Sequence, residues 1–126
     1  MTSGRDGLPR SGGVTVAEMG AGRLISLDRQ VAEDPTMNIA EQMLDVLACV
    51  VRRLADSGAR PSHILSVRID LADASGYEGA MRVWAAWAGA ERVVARATVG
   101  LLEEACGPLV EVTIVAAFTP DRPQKH

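Results

Sequence analysis

Arg96 stands inside an otherwise apolar and largely β-branched run, VVARATVGL, at residues 93–101. A guanidinium keeps its proton inside a protein, and its burial without a partner is costly. Arg96 must therefore face solvent from an edge strand or meet an anionic group. The next apolar run, LVEVTIVAAF at residues 109–118, also contains a single charge, Glu111, and its sign is opposite.

These two residues allow two interpretations. They can form a structural ion pair, because buried charges in proteins are normally paired. Alternatively, Arg96 binds the carboxylate of a small, anionic substrate through the bidentate geometry that a planar guanidinium favours. Glu111 is then the residue that holds or deprotonates a water molecule.

The elements that must position these residues begin with a predicted hairpin. GGVTVAEM (12–19) and GRLISLDRQV (22–31) have strand composition, and GAG marks the turn between them. After AEDPTMN (32–38) the apolar period becomes helical. Asn38 and Glu41 predict a capping box, and Gly58 followed by Pro61 ends the helix. The apolar stripe of this helix comprises Ile39, Met43, Val46, Leu47, Val50 and Leu54.

A third strand and a second helix follow. ILSVRIDLA alternates, which predicts one face formed by Leu65, Val67, Ile69 and Leu71 and another formed by Ser66, Arg68 and Asp70. Ser75 and Glu78 predict a second capping box. The inner stripe of the second helix is predicted as Tyr77, Met81, Trp84 and Ala88, with an end near Gly89.

Two last strands, RVVARATVGLL (92–102) and LVEVTIVAAF (109–118), are joined by EEACGP and are expected to be neighbours. The order β-β-α-β-α-β-β predicts an α+β fold, with one mostly antiparallel sheet and two helices on one face. The other face of the last strand is semi-apolar, since Val115 and Ala117 accompany Glu111 and Thr113. An uncovered face is normally polar, so we expect a closed homo-oligomer.

The whole chain of 126 residues fits one domain at residues 13–118, with disordered tails at 1–12 and 119–126 that are rich in Gly, Pro and charge. The net charge of −3 and the scattered basic residues give no reason to expect nucleic acid or an anionic membrane as a partner. The chain shows no signal peptide and no apolar run of transmembrane length, which predicts a cytoplasmic protein.

The two cysteines, Cys49 and Cys106, have no metal-ligand spacing, and we predict neither a disulfide nor a metal site. Cys49 falls in the first helical pattern, where it packs as a small hydrophobe. No base is placed beside Cys106 to activate its thiol.

The sequence resembles the RidA/YjgF superfamily of reactive-intermediate deaminases over residues 13–118. The resemblance is carried by ARATV at 95–99 and by the glutamate of LVEVTIVA, fifteen residues after Arg96. It implies a chorismate-mutase-like fold, a homotrimer around a central barrel, and three clefts between subunits. It also implies hydrolysis of enamines and imines to oxo acids and ammonia without metal or cofactor, with Arg96 binding the substrate carboxylate and Glu111 positioning the attacking water.

Three positions depart from the family pattern. The SGQ motif of the family is Asp28-Arg29-Gln30 here, so an arginine replaces a glycine. The cleft tyrosine of the family falls near Thr15, and its asparagine on the second helix falls on Met81. With Cys106, these positions complete the candidate substrate-binding set. Arg29 is either a second anion ligand or a surface charge.

Three functions are therefore considered. The first is a RidA-like enzyme that acts on a small carboxylated enamine or imine. The second is an enzyme of the same fold recruited to cyclisation, isomerisation or hydrolysis of a biosynthetic intermediate, which the altered positions favour. The third is a non-catalytic, ligand-binding trimer in which Arg96 and Glu111 pair.

Overall fold

A computed structural model describes residues 12–103 and 107–120 of the chain. Five strands and two α-helices follow one another as β1 (Val14–Met19), β2 (Gly22–Gln30), α1 (Ile39–Asp56), β3 (Ile64–Leu71), α2 (Tyr77–Glu91), β4 (Ala97–Leu101) and β5 (Val110–Phe118). Short 3-10 helices precede β3 and α2, at Pro61–His63 and Ala74–Gly76. The predicted α+β class and the order of elements are confirmed.

The strands form one sheet in the order β1-β2-β5-β3-β4. All pairings are antiparallel except that of β3 with β4. The parallel pairing arises because α2 lies between β3 and β4 in the chain, and a helical crossover returns the chain in the same direction. The expectation that β4 and β5 are neighbours is therefore wrong, because β3 lies between them.

The hydrophobic core lies between one face of the sheet and the two helices. Alternate residues of β5 supply its centre, namely Val110, Val112, Ile114 and Ala116, and none of them is accessible to solvent. Helix α1 contributes its predicted stripe, of which Met43, Val46, Leu47, Val50 and Leu54 are buried. Within the described part of the chain, the helices thus cover one face of the sheet.

Helix α1 begins where the sequence predicts. Asn38 accepts a hydrogen bond from the Glu41 backbone at 2.8 Å, and the Glu41 carboxylate accepts one from the Asn38 backbone at 3.1 Å. In the preceding loop, Asp34 accepts hydrogen bonds from the Thr36 hydroxyl and backbone, which lower the pKa of the Asp34 carboxyl. Of the helices in the described ranges, neither has the length and apolarity needed to cross a bilayer.

The second capping box is absent. Asp73, rather than Ser75, starts the turn, because its carboxylate accepts a hydrogen bond from the Ser75 backbone at 2.9 Å and a 3-10 turn forms. Helix α2 follows from Gly76 without a side-chain cap, and it ends at Glu91, two residues after the predicted Gly89. Its buried residues are Ala80, Trp84 and Ala88. Tyr77 is half exposed, and Met81 packs partly buried against the core.

Leu65 does not face the core as the alternation predicts. The pairing of β3 with β5 shifts between Ile64 and Ser66, so Ile64 takes the inner position and Leu65 is 61% exposed. A bulge of this kind places two residues opposite one and interrupts the alternation that a sequence pattern assumes. Val67, Ile69 and Leu71 face inward as predicted.

Candidate functional site

The sheet face opposite the helices is here called the open face. Strand register assigns its members, because residues that pair across strands point to the same side. They are Thr15, Ala17, Leu24, Ser26, Ser66, Arg68, Asp70, Thr98, Gly100, Glu111, Thr113, Val115 and Ala117. Where β1 and β2 pair, these residues are uncharged, and the charged residues collect near the ends of β3 and β4 and the start of β5.

Glu111 lies at this charged end of the open face. It is the second residue of β5, and its side chain is only 15% exposed. Its register partner on β3 is Asp70, so two carboxylates stand opposite each other on adjacent strands. Like charges in this arrangement repel. Each of them is therefore expected to need a cation, and each has one.

Arg29 is the cation at Glu111. Its Nε atom lies 3.6 Å from Oε1 of Glu111. The backbone of Arg29 is left-handed, with φ of 51°, at the point where the pairing of β2 with β5 shifts. Its N–H leaves the strand ladder and donates to the Thr113 hydroxyl at 3.0 Å. This conformation costs about 1–2 kcal/mol for a residue with a Cβ. The irregular stretch at residues 28–30 of β2, called the turn below, therefore has a backbone that suits glycine at the position of Arg29.

Gln30 fixes this turn from inside. Its side chain is fully buried, and its Nε2 donates to the Asp28 carbonyl at 2.9 Å and to the Gly13 carbonyl at 3.4 Å. The backbone of Gly12 donates to the Arg29 carbonyl at 2.9 Å. The turn is thus held by the Gln30 side chain and by the Gly12 backbone. Displacement of the Gln30 amide would leave buried carbonyl groups without a partner, which is costly.

Arg68 is the cation at Asp70. Its Nε donates to both oxygens of Asp70, at 2.9 and 3.0 Å. The pair lies across the neighbouring strand over Gly100, where an added Cβ would overlap the Arg68 guanidinium and come within 2.8 Å of Asp70 Oδ1. A larger residue at position 100 would therefore displace the Arg68 guanidinium from Asp70. The charged end of the open face carries two arginines and two carboxylates.

Arg96 is not inside a strand. It immediately precedes β4, is exposed, and makes no hydrogen bond or ion pair with any described residue. Ala97 on β4 pairs with Val67 on β3. Val67 lies three residues before Asp70, and Asp70 is the cross-strand partner of Glu111. Arg96 is thus about 13 Å from Glu111 along the strands and about 10 Å across them. Within one chain, Glu111 pairs with Arg29 and does not reach Arg96.

The remaining candidates lie at different places. Thr15 is exposed on the open face, where it pairs with Ser26 near the other edge of the sheet. Met81 is on α2, on the opposite side of the sheet from Glu111. Cys106 lies outside the described residues. Among the described candidate residues, Arg29 and Glu111 are the two that lie together within one chain.

Sequence reasoning missed three residues of the open face near Glu111 as site residues, namely Asp70, Arg68 and Thr113. It also missed Gln42, which accepts a hydrogen bond from Leu109, two residues before Glu111. Asp70 and Arg68 were placed on the polar face of β3, but their position beside Glu111 depends on strand order. Gln42 had a readable signal, since a polar residue stands between Ile39 and Val46 in the apolar stripe of α1. Residues three or four apart share a helix face.

Two other features bear on the chemistry. A shallow cavity of about 390 Å³ lies along α1, lined by Glu33, Cys49, Arg52, Arg53, Ala55 and Asp56, and it contains none of the candidate residues. Within residues 12–103 and 107–120, no three His, Cys, Asp or Glu side chains are grouped as metal ligands. The charged end of the open face therefore remains the best candidate site.

Comparison with known proteins adds a family context. Residues 14–118 match the family described as Endoribonuclease L-PSP, whereas no curated protein matches the chain. A YjgF-family protein from Neisseria meningitidis is 31% identical, with a TM-score of 0.64 over 81% of this chain and 87% of that one. An uncharacterised Pseudomonas aeruginosa protein is 26% identical, with a TM-score of 0.64 over 83% and 98%. Escherichia coli TdcF with bound serine shares the fold at 13% identity, with a TM-score of 0.66 over 80% and 84%.

Proposed function

Because this chain belongs to the RidA/YjgF superfamily, we propose that it is an enzyme that hydrolyses a small carboxylated enamine or imine. The reaction takes place in clefts between the subunits of a homotrimer, and it needs no metal or cofactor. Arg96 binds the substrate carboxylate, and Glu111 positions the attacking water. Arg29, Thr15, Met81 and Cys106 are the further candidates for substrate contact.

The placement of Glu111 is the observation that carries this proposal. It is a largely covered carboxylate on a face that neither of the described helices covers. Its Oε1 is near Arg29, and no contact in the described ranges engages Oε2. A carboxylate in this state can accept a proton from water, as a general base must.

Arg96 is suited to the other half of the task. It precedes an edge strand and has no described partner, so its guanidinium is free to form a two-point contact with a carboxylate. TdcF, which shares this fold, holds serine, a small molecule with a carboxylate. That likeness supports a small carboxylated ligand for this chain as well.

The chemistry requires few groups. A proton moves from the nitrogen of the enamine to its β-carbon, which gives an imine, and water adds to the imine carbon to give a carbinolamine. The hydroxyl of the carbinolamine then loses its proton to the nitrogen as the C–N bond breaks, which releases ammonia and an oxo acid. In this proposal, Glu111 accepts a proton from the attacking water and returns it to the departing nitrogen. Arg96 holds the carboxylate so that the imine carbon faces that water, and such orientation supplies much of the rate enhancement.

The open face is the surface through which the subunits of the proposed trimer assemble. Its Ala17, Leu24, Val115 and Ala117 are apolar, while both helices cover the opposite face. Since one chain keeps Arg96 and Glu111 far apart, a cleft where subunits meet is the arrangement in which a small substrate contacts both. The trimer is therefore part of the proposed site.

One observation favours a second function, the ion pair between Arg29 and Glu111. An arginine at a glycine-type turn narrows the space beside the carboxylate and adds a positive charge. This suits a RidA-fold enzyme recruited to cyclisation, isomerisation or hydrolysis of a different, biosynthetic intermediate. The family description names an endoribonuclease, but we do not propose this activity for the chain. Its net charge of −3 does not favour the binding of RNA, which is a polyanion.

The test uses the purified protein in a system that generates 2-aminoacrylate, with semicarbazide present to trap the imine. We expect added protein to lower the yield of adduct and to speed oxo-acid release. Glu111→Gln and Arg96→Ala should abolish most of this effect. Glu91→Gln and Arg82→Ala, at exposed positions on α2, are matched controls that keep it. If the parent protein leaves the yield of adduct unchanged, the proposal is contradicted. The recruited enzyme and the non-catalytic binding trimer then remain as the alternatives.

A further inference from the structure

Gln42 is the buried polar residue of α1, and every hydrogen-bonding group of its amide is used. Its side chain is fully inaccessible to solvent. Nε2 donates to the carbonyl oxygens of Pro35, at 3.2 Å, and Met37, at 2.9 Å, and Oε1 accepts from the Leu109 N–H at 3.0 Å. Because a buried amide with all partners satisfied strongly specifies their positions, Gln42 links the loop before α1 to the segment that enters β5.

Leu109 is held from two sides by this arrangement. Its N–H donates to Gln42, and its carbonyl accepts from the Ala72 N–H at 2.9 Å, just after the end of β3. Both polar backbone groups of Leu109 are therefore engaged outside the strand ladder. The strand β5 starts at the next residue, Val110, and Glu111 is the one after.

These two hydrogen bonds of Leu109 act at the end of β5 that contains Glu111. Ends of strands open more easily than their centres, and Glu111 is only the second residue of its strand. Its cross-strand partner, Asp70, is a carboxylate and does not attract it. Among the described residues, Gln42 is the helical residue whose side chain forms a hydrogen bond with the segment that enters β5.

We infer that Gln42 is a positioning residue for the reaction: through Leu109 it fixes the start of β5 and thereby the carboxylate of Glu111. This inference rests on the proposed function, in which Glu111 positions water. Displacement of a reacting group by about 1 Å can cost about a hundredfold in rate. The buried glutamine thus serves the site from the far side of the sheet without touching substrate.

The test compares Gln42→Met, which keeps the volume and removes all three hydrogen bonds, with Gln42→Glu, which keeps an acceptor for the Leu109 N–H. Val46→Ala is the control, because it destabilises the same buried face of α1 and leaves the hydrogen bond between Gln42 and Leu109 in place. We expect Gln42→Met to lower kcat about tenfold to a hundredfold with KM little changed. Gln42→Glu should retain more of kcat, and Val46→Ala should keep the kcat of the parent.

A double-variant cycle separates positioning from folding. In the Glu111→Gln background, Gln42→Met should cause no further loss of kcat, because the group it positions is already gone. An equal loss in both backgrounds, or a matching loss in Val46→Ala, overturns the inference and makes Gln42 a residue of stability alone. Full activity in Glu111→Gln overturns the proposed function, and the catalytic part of this inference with it.

Hydrogen exchange gives a readout that does not depend on turnover. We expect Gln42→Met to accelerate amide exchange at residues 109–112 more than in the hairpin of β1 and β2. Val46→Ala should accelerate exchange without this local preference. Uniform acceleration in Gln42→Met shows that the glutamine does not fix the start of β5, and the inference then fails whatever the substrate is.

Discussion

The Nε atom of Arg29 lies 3.6 Å from Oε1 of Glu111, and the two side chains meet from adjacent strands. Arg29 reaches this position from a left-handed backbone, whereas Glu111 belongs to a regular part of β5. The arginine side chain is 73% exposed and the glutamate side chain 15%. A molecule that approaches the open face at this point therefore meets the guanidinium before the carboxylate.

Replacement of Arg29 can separate the backbone strain from the charge. Arg29→Gly and Arg29→Ala lose the same ion pair, but only alanine keeps a Cβ at φ of 51°. We expect the glycine variant to have the larger free energy of unfolding, by about 1 kcal/mol, measured by denaturant titration. Equal stabilities would contradict the assignment of strain to this turn.

The charge of Arg29 has its own readout. If the guanidinium binds substrate together with Arg96, Arg29→Gln should raise KM while the assembly stays folded. A KM equal to that of the parent returns Arg29 to the role of a surface charge. A rise in kcat without a change in KM instead indicates that Arg29 restrains Glu111 in the parent.

Arg96→Ala should harm activity without harming stability. Loss of a charged, two-point contact costs roughly 2–4 kcal/mol, which is about thirtyfold to nearly a thousandfold in binding or rate. Arg96→Lys should restore little, because an ammonium cannot reproduce the planar fork. Since Arg96 has no described partner within its chain, thermal melting of the alanine variant should stay close to that of the parent.

The melt also tests the competing ion pair. If Arg96 pairs with Glu111 of a neighbouring subunit as a structural contact, the alanine variant leaves a carboxylate unpaired and loses about 3–5 kcal/mol. Addition of Glu111→Gln should then recover much of that loss. This pattern would defeat the catalytic assignment of both residues.

Assembly is expected to depend on the open face. Val115→Glu places a charge among Ser26, Ser66 and Ala117 of that face and should convert the proposed trimer into smaller species, measured by sedimentation or light scattering. Leu44→Glu, at an exposed position on α1, is the matched control that remains trimeric. A parent protein that is monomeric at micromolar concentration would refute the intersubunit cleft.

Gly100 and Gly89 are predicted to respond to alanine with opposite signs. At Gly100 the new Cβ displaces the guanidinium of Arg68 from Asp70, so Gly100→Ala should destabilise the protein by up to about 1 kcal/mol, the range of an exposed ion pair. At Gly89, near the end of α2, a Cβ meets no atom within 4 Å, and alanine should stabilise by up to about 1 kcal/mol. Denaturant titration measures both. The cost at Gly100 should shrink in an Arg68→Ala background, and an unchanged cost would show that the pair is not the obstacle.

The sequence predicted those parts of the fold that depend on local signals. The hairpin follows from two strand-like runs and a glycine turn, and α1 follows from its stripe and the Asn38–Glu41 box, so both are confirmed. The bulge at Leu65 and the cap at Asp73 were missed, because each depends on how one residue is accommodated in three dimensions. A pattern with a fixed period cannot register such an adjustment.

The site was predicted less completely, since its contacts join distant parts of the chain. Arg96 and Glu111 were identified as unusual charges, yet the order of strands decides their neighbours. With β3 between β4 and β5, Glu111 faces Asp70 and Arg29, and Arg96 is left at the sheet edge. A resemblance of motifs carries residue types but not this order of pairing, and the partners of Glu111 emerged only from the register.

The position of β4 at the edge of the sheet also bears on how chains can pair with one another. Its five residues, Ala97–Leu101, bond to β3 on one side, and no described strand pairs with them on the other. A free strand edge offers backbone groups to which another chain can add a strand. The short length of β4 leaves few such groups, and this limits unwanted pairing between chains.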